Sequence, residues 1–111
     1  MRIDNSIKTE AFTIFDAAPR LDPITVVLQD MGVGSGRLIV ECFGTAWSAY
    51  WGAMGNKRVR EFVKVCDPDY IVSKLAPSDR RMRKSDEKYL TRIVQATQEA
   101  LRSNGRGQPS A

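Results

Sequence analysis

Residues 41–55 read ECFGTAWSAYWGAMG, and they separate a β-rich first half of the chain from a helix-rich second half. The stretch contains both tryptophans, one of the three tyrosines and three of the eight glycines. Large aromatic side chains set among Ala, Ser and Gly can pack closely on neighbouring backbone, and they can also form a flat surface for a partner. Residues 41–55 are therefore expected to contribute to the core, to a binding surface, or to both.

The residues before this stretch predict an antiparallel meander. A first strand is expected over residues 11–16, and a loop with two prolines follows it. The clearest strand covers residues 24–29, because Ile24, Val26 and Leu28 alternate with polar or smaller residues and share one apolar face. That face should meet the helices.

A glycine-rich loop over residues 30–36 connects this strand to a third one. Its glycines supply the positive φ values that a chain reversal requires. A phosphate-binding loop should lead into a helix N-terminus, whereas this loop leads into the strand 37–43, in which Leu38, Val40 and Cys42 share a face. The two strands are therefore predicted to form an antiparallel hairpin.

The conformation of residues 46–51 is left open by their pattern. Gly44 is expected to mark a bulge or bend before them. An extended chain would place both tryptophans on one face and Tyr50 on the other, whereas a helix would bring all three aromatics to one side. The segment is therefore either a prolonged third strand, a fourth strand or a helical turn.

The second half of the chain predicts helices. Asn56 is a candidate N-cap for the first helix, whose apolar residues recur at i, i+3, i+4 and i+7 from Val59 to Cys66. Asp67-Pro68 is typical of a new helix start, with Asp as the N-cap and Pro as the first helical residue. The second helix is therefore expected to follow the first almost without a connection.

The third helix is predicted to open either at Ser78-Asp79 or at Ser85-Asp86-Glu87. Its apolar stripe reaches about residue 103, and residues 104–111 are expected to be a disordered tail. The fold prediction is an α+β domain over residues 1–103: a three- or four-stranded antiparallel meander followed by three helices packed on one face.

Length and hydropathy favour one soluble domain. The chain has 111 residues and is 42% hydrophobic, and no apolar run approaches the roughly 20 residues of a membrane helix. Residues 1–6 lack the apolar segment of a signal peptide. A cytoplasmic protein with no membrane partner is expected.

Catalytic chemistry is not indicated. The chain has no histidine to activate a nucleophile, and Ser48 does not lie in a Gly-x-Ser-x-Gly elbow. Cys42 and Cys66 are too few for a disulfide framework and are expected to be reduced core residues. The remaining candidate is a carboxylate metal site made of Asp67, Asp69 and Asp79. Because an N-cap role explains Asp67 more simply, we predict a non-enzymatic protein without metal or cofactor.

Charge is distributed unevenly along the chain. Residues 1–56 carry four basic and six acidic side chains, whereas residues 57–111 carry 13 and seven. The basic cluster consists of Arg80, Arg81, Arg83, Lys84, Lys88 and Arg92. On a helix, Lys84, Lys88 and Arg92 would form one ridge that could follow a phosphate backbone. The alternative is an ordinary solvated helix surface.

The aromatic group Trp47, Tyr50 and Trp51 also has two interpretations. All three side chains could fill the space between sheet and helices, as large aromatics commonly do. Alternatively, at least one of them is an exposed anchor for a protein partner.

Two segments, DPITV at residues 22–26 and ECFG-x-AWSAYWG-x-MG at residues 41–55, resemble a family of small accessory proteins encoded by tailed bacteriophages and prophages. The likeness covers roughly residues 20–75. It implies a phage or mobile-element origin and a location in the host bacterial cell, and it supplies no catalytic residues. By analogy, small non-catalytic phage proteins such as anti-CRISPR inhibitors act by occupying a surface of a host machine.

The functional hypothesis is a phage accessory protein that binds, and thereby inhibits, a host protein or a nucleoprotein complex such as a CRISPR effector. The aromatic group would anchor the partner, and the basic cluster would steer it. The alternative is a nucleic-acid-binding module of phage replication or recombination that uses the basic helix. Whether the chain forms a homodimer through the stripe from Tyr89 to Leu101 is left open.

Overall fold

The computed structural model describes residues 1–76 and 82–104, and within them it confirms the α+β class. Four strands come first and three helices follow. The elements are β1 (Lys8–Ile14), β2 (Ile24–Asp30), β3 (Gly36–Cys42), β4 (Thr45–Trp51), α1 (Val59–Val65), α2 (Pro68–Leu75) and α3 (Lys84–Asn104).

The strands form one open sheet in the order β1-β2-β3-β4, with every neighbouring pair antiparallel. The predicted meander is therefore confirmed in its four-stranded form. Residues 45–51 are a strand and not a helical turn, because each residue pairs with one of β3, from Cys42 opposite Thr45 to Gly36 opposite Trp51.

The core lies between one face of this sheet and the three helices. Ile24, Val26 and Leu28 are buried on β2, as are Leu38 and Val40 on β3, as their alternation predicts. Helix residues complete the core, and its fully buried members there are Val59, Val63, Ile71, Leu90, Ile93, Val94 and Leu101. The opposite face of the sheet receives no helix from the described residues.

Several predicted strand limits were wrong: β2 extends to Asp30 instead of residue 29, and β3 covers Gly36–Cys42 instead of residues 37–43. The first strand begins at Lys8 and ends at Ile14 instead of covering residues 11–16, because the partner strand continues to Asp30 and pairs with Lys8. Phe43 is not a strand residue. Of the bulge or bend expected at Gly44, the structure has the bend: with φ values of 52° and 83°, Phe43 and Gly44 form the two-residue turn between β3 and β4.

The predicted N-cap of the first helix was also wrong. The N-cap residue is Arg58, whose side chain makes no capping hydrogen bond. Asn56 lies instead in a loop tied to the β2–β3 connection, where Met54 N–H donates to Gly34 O and Gly34 N–H donates to Lys57 O, both at 2.9 Å. This loop-to-loop contact delays the start of α1 to Val59.

The start of α2 is confirmed. Pro68 is its first residue, and the Asp67 carboxylate accepts a hydrogen bond of 2.8 Å from Asp69 N–H. The third helix begins at Lys84, so Ser85-Asp86-Glu87 lies in its first turn, where acidic side chains are favourable.

The end of α3 falls one residue inside the predicted tail, because Asn104 is still helical. Residues 105–111 and the alternative helix start at Ser78-Asp79 lie outside the described residues. Both cysteines are free thiols: Cys42 is buried as predicted, and Cys66 is half-buried.

Candidate functional site

The aromatic group of β4 is divided between the two faces of the sheet. Trp51 is only 7% exposed and packs on Phe62, while its Nε1–H donates to the Tyr70 hydroxyl at 3.1 Å. Trp47 is half-buried on the same face. Tyr50 points the opposite way and is 56% exposed. The structure therefore does not bring the three predicted anchors together, and Tyr50 is the accessible one.

Tyr50 belongs to the face of the sheet that is turned away from the helices, which we call the outer sheet face. It has three residues from each strand, and in register order these are Thr9, Ala11 and Thr13 on β1, Gln29, Val27 and Thr25 on β2, Arg37, Ile39 and Glu41 on β3, and Tyr50, Ser48 and Ala46 on β4. All of these side chains are half-buried or exposed.

The middle of the outer sheet face is uncharged, with Val27 and Ile39 paired at its centre. Its charged residues are held by neighbours. The Arg37 guanidinium donates to Gln29 Oε1 at 2.9 Å and lies 5.7 Å from the centre of the Tyr50 ring. The Glu41 carboxylate accepts a hydrogen bond of 2.8 Å from Gly44 N–H.

Two further aromatics are exposed at one end of the sheet. Phe15 follows β1 and is 67% exposed, and Phe43 lies in the β3–β4 turn and is 80% exposed. Because β1 and β3 run in the same direction through the antiparallel sheet, both strands end on that side. Neither residue was predicted to be a surface feature, because the sequence pattern places both inside strands.

The basic residues of α3 line a cleft against α2. Lys84, Lys88 and Arg92 share it with two acidic residues, Asp69 and Glu87, and its volume is about 720 Å³. Arg92 is engaged, because its Nη2 donates to Pro19 O at 3.0 Å. Arg83 is exposed, whereas Arg80 and Arg81 lie outside the described residues. Lys84, Lys88 and Arg92 therefore lie along one side of α3 as predicted, but the carboxylates of Asp69 and Glu87 reduce the positive potential there.

The Cys42 thiol is buried on the inner side of the sheet, where it contacts two polar groups. The Tyr89 hydroxyl donates to Cys42 Sγ at 3.1 Å, and the thiol is 3.5 Å from the Asp22 carbonyl oxygen. Burial, followed by the contact with Cys42, raises the pKa of Tyr89 from 10.0 to about 12. Burial also raises the pKa of the Cys66 thiol. Both shifts disfavour the ionised, reactive forms.

The Tyr89 shift has a measurable consequence. The unfolded chain loses this proton near the ordinary pKa of 10.0, and the folded chain near 12. Stability that is fully present below pH 10 is therefore expected to fall as the pH rises toward 12. In a titration followed by phenolate absorbance, Tyr89→Phe should remove the component of highest pKa, and Tyr50→Phe should leave it. Removal of a component near pH 10 by Tyr89→Phe would contradict this assignment.

Two of the three acidic residues considered as metal ligands, Asp67 and Asp79, give no support to a metal site. Asp67 caps α2, and Asp79 is outside the described residues. Across residues 1–76 and 82–104, no three Cys, Asp or Glu side chains cluster closely enough to hold a metal ion. No helix in these two ranges is long and apolar enough to cross a membrane.

Comparison with known proteins supports a phage origin. No curated protein and no solved structure matches the chain. A match is found with the protein family Phage_phiTE_072, described as a phage family, and it extends over residues 1–95. The matched range includes all four strands and most of α3. The chain therefore belongs to this phage family.

Proposed function

We propose that this protein is a non-enzymatic phage accessory protein that binds a host protein through its outer sheet face and blocks it. The observation that supports this function is the exposure of that face: within residues 1–76 and 82–104 no helix packs on it, whereas all three helices pack on the other face. An antiparallel sheet can leave one face to water, but on this face the apolar pair Val27 and Ile39 and the exposed ring of Tyr50 lie among the polar residues. Apolar groups at a surface of this kind are candidates for a contact with a partner.

The chemistry of the face indicates the kind of partner. Its centre, Val27 and Ile39, is apolar, and its rim has hydroxyl and amide groups together with Tyr50. Tyrosine is among the commonest residues that dominate binding energy, because it combines apolar area with a hydrogen-bonding group. The partner we expect is a host protein with a neutral, apolar patch. Inhibition of a defence complex in the host cytoplasm, including a CRISPR effector, fits such a contact by analogy.

The second candidate function is binding of nucleic acid along α3. It is favoured by the position of Lys84, Lys88 and Arg92 along a single cleft. Two observations argue against this function: Asp69 and Glu87 lie in the same cleft, and Arg92 is engaged by the Pro19 carbonyl oxygen. Phosphate binding would decline steeply as salt rises, whereas an apolar protein contact would not.

The test compares four tagged proteins in host lysate, with and without nuclease: wild type, Val27→Lys, Gln95→Lys and Lys88→Glu. Val27→Lys puts a charge at the centre of the outer sheet face, and Gln95→Lys adds the same charge on the exposed side of α3. We expect one host protein to survive nuclease treatment, to bind the purified wild type directly, and to be lost at least tenfold only with Val27→Lys. Recovery of nuclease-sensitive material that Lys88→Glu abolishes would instead establish the second function.

A further inference from the structure

We propose that a second copy of this chain pairs antiparallel with β4 and extends the sheet from four strands to eight. β4 is the last strand of the sheet, so one side of its backbone faces outward. The two-residue turn makes Cys42 and Thr45 a hydrogen-bonded pair, and such pairs then alternate along the hairpin. The outward N–H and C=O groups are therefore those of Ala46, Ser48 and Tyr50.

These outward groups are available for pairing. In the described part of the chain, none of the six makes a hydrogen bond to backbone or side chain. The strand is also anchored from its inner side, since the Trp51 indole N–H donates to the Tyr70 hydroxyl and Trp47 packs edge-on against Tyr89 with 6.1 Å between ring centres. A preformed edge of this kind is a template for another strand.

β4 lacks the devices by which exposed edges avoid such pairing. It has no charged residue, no proline and no bulge in its register with β3. The other edge differs: β1 contains Lys8 and Glu10, and Glu10 forms an ion pair of 2.8 Å with Arg60. The structure therefore distinguishes the two edges chemically and favours β4.

When two copies of β4 are paired antiparallel, large side chains of one copy can lie opposite small side chains of the other. A two-fold axis through Ser48 places Ser48 opposite its own copy, and the outward groups of the two strands then meet in register. In this register every aromatic lies opposite a small residue of the other copy. The pairs are Tyr50 with Ala46, Trp47 with Ala49, and Trp51 with Thr45.

This complementarity identifies the occupant as a second copy, since an unrelated strand would match it only by chance. A parallel arrangement in direct register would instead set each aromatic against its own copy. The inference stands apart from the proposed function, because pairing uses the edge of the sheet and the host contact uses its face. A dimer would present the two outer sheet faces as one continuous surface.

The first measurement is the mass of the full chain in solution as concentration rises. The wild type is expected to reach twice its 12.4 kDa. Ser48→Pro removes an outward donor without touching the ladder to β3, and it should keep the mass at one chain. Its matched control is Ala11→Pro, which changes the outward side of β1 in the same way and should still dimerise. Circular dichroism checks that both variants are folded. A wild type that stays at one chain, or a folded Ser48→Pro that still dimerises, overturns the proposal.

The second measurement tests the register. In a hydrogen-bonded antiparallel pair the Cα atoms are about 5.5 Å apart, which lies in the range of about 4.4 to 6.8 Å that a disulfide spans. In a Cys66→Ser background, Ser48→Cys should therefore give a covalent dimer on mild oxidation, and Ala11→Cys should give at least tenfold less. Equal cross-linking by the two variants would overturn the register.

Discussion

Replacing Gly36 with alanine is expected to lower the free energy of unfolding by about 3 kcal/mol, at the upper end of what overpacking costs. Gly36 is the first residue of β3, where the start of α1 crosses the sheet. A Cβ atom there would lie 2.5 Å from Val59 Cβ and 2.9 Å from the Gln29 carbonyl oxygen. Val59 is fully buried and Gln29 O belongs to the adjacent strand, so neither neighbour can move without disturbing the core.

Gly52→Ala is the matched control for this substitution. Its added Cβ would meet only the ring of Tyr50, 3.1 Å from the hydroxyl oxygen, and that exposed side chain can swing away. The change should therefore stay within about 0.5 kcal/mol of the wild type, as surface substitutions usually do. Chemical denaturation of the three proteins measures the difference. Equal stabilities of Gly36→Ala and Gly52→Ala would show that α1 is not packed against β3 in this way.

Replacing Gln98 with leucine is expected to lower the free energy of unfolding by about 2 to 3 kcal/mol, because it leaves buried carbonyl groups without a donor. Gln98 is only 3% exposed, and with Thr97 it is one of two polar residues on the buried side of α3 within the described part of the chain. Its Nε2 donates to Val63 O at 3.0 Å and to Cys66 O at 2.6 Å. The last carbonyls of a helix have no partner within the helix, so this side chain caps the C-terminal end of α1.

Gln95→Leu is the control for the second substitution, since Gln95 lies on the exposed side of the same helix. Both changes replace an amide by the same apolar group in α3, but only Gln98 serves a second helix. Thermal or chemical unfolding should show a large loss for Gln98→Leu and almost none for Gln95→Leu. If the two variants lost the same stability, the cap on α1 would contribute nothing.

The candidate site was predictable only in part. Tyr50 was named as an anchor from its residue type, but together with two tryptophans that the sheet turns inward. Val27 and Ile39, which form the centre of the outer sheet face, were not named. A signal for them was present, because β2 and β3 each have one apolar residue, Val27 and Ile39, on the side away from the core. Nothing local to these residues shows whether a further layer covers that side.

The basic ridge illustrates the same limit. Spacing of four residues correctly places Lys84, Lys88 and Arg92 along one side of a helix. It does not show that Arg92 donates to Pro19, 73 residues earlier in the chain. Nor does it show that Asp69 of α2 comes to the same cleft. Contacts between elements that are distant in sequence decide how much of the charge is free.

The sequence by itself determined the features that depend on residue type and period. Alternation defined the buried sides of β2 and β3, and Asp67 with Pro68 defined the start of α2. The change from a period of two to helical spacing also indicated where strands give way to helices. These features follow from the backbone preferences and side-chain directions of short segments, which need no distant partner.

Tertiary structure decided the rest. Pairing with β3 made residues 45–51 a strand, since their aromatic pattern suits a strand or a helix equally well. The crossing of α1 over β3 requires glycine at position 36, and the last carbonyls of α1 require the amide of Gln98. The placement of all three helices on one face leaves the other face and the β4 edge uncovered by residues 1–76 and 82–104. Except for the hairpin of β3 and β4, whose strands adjoin in sequence, each of these depends on which distant segments meet, and a local pattern carries no record of that.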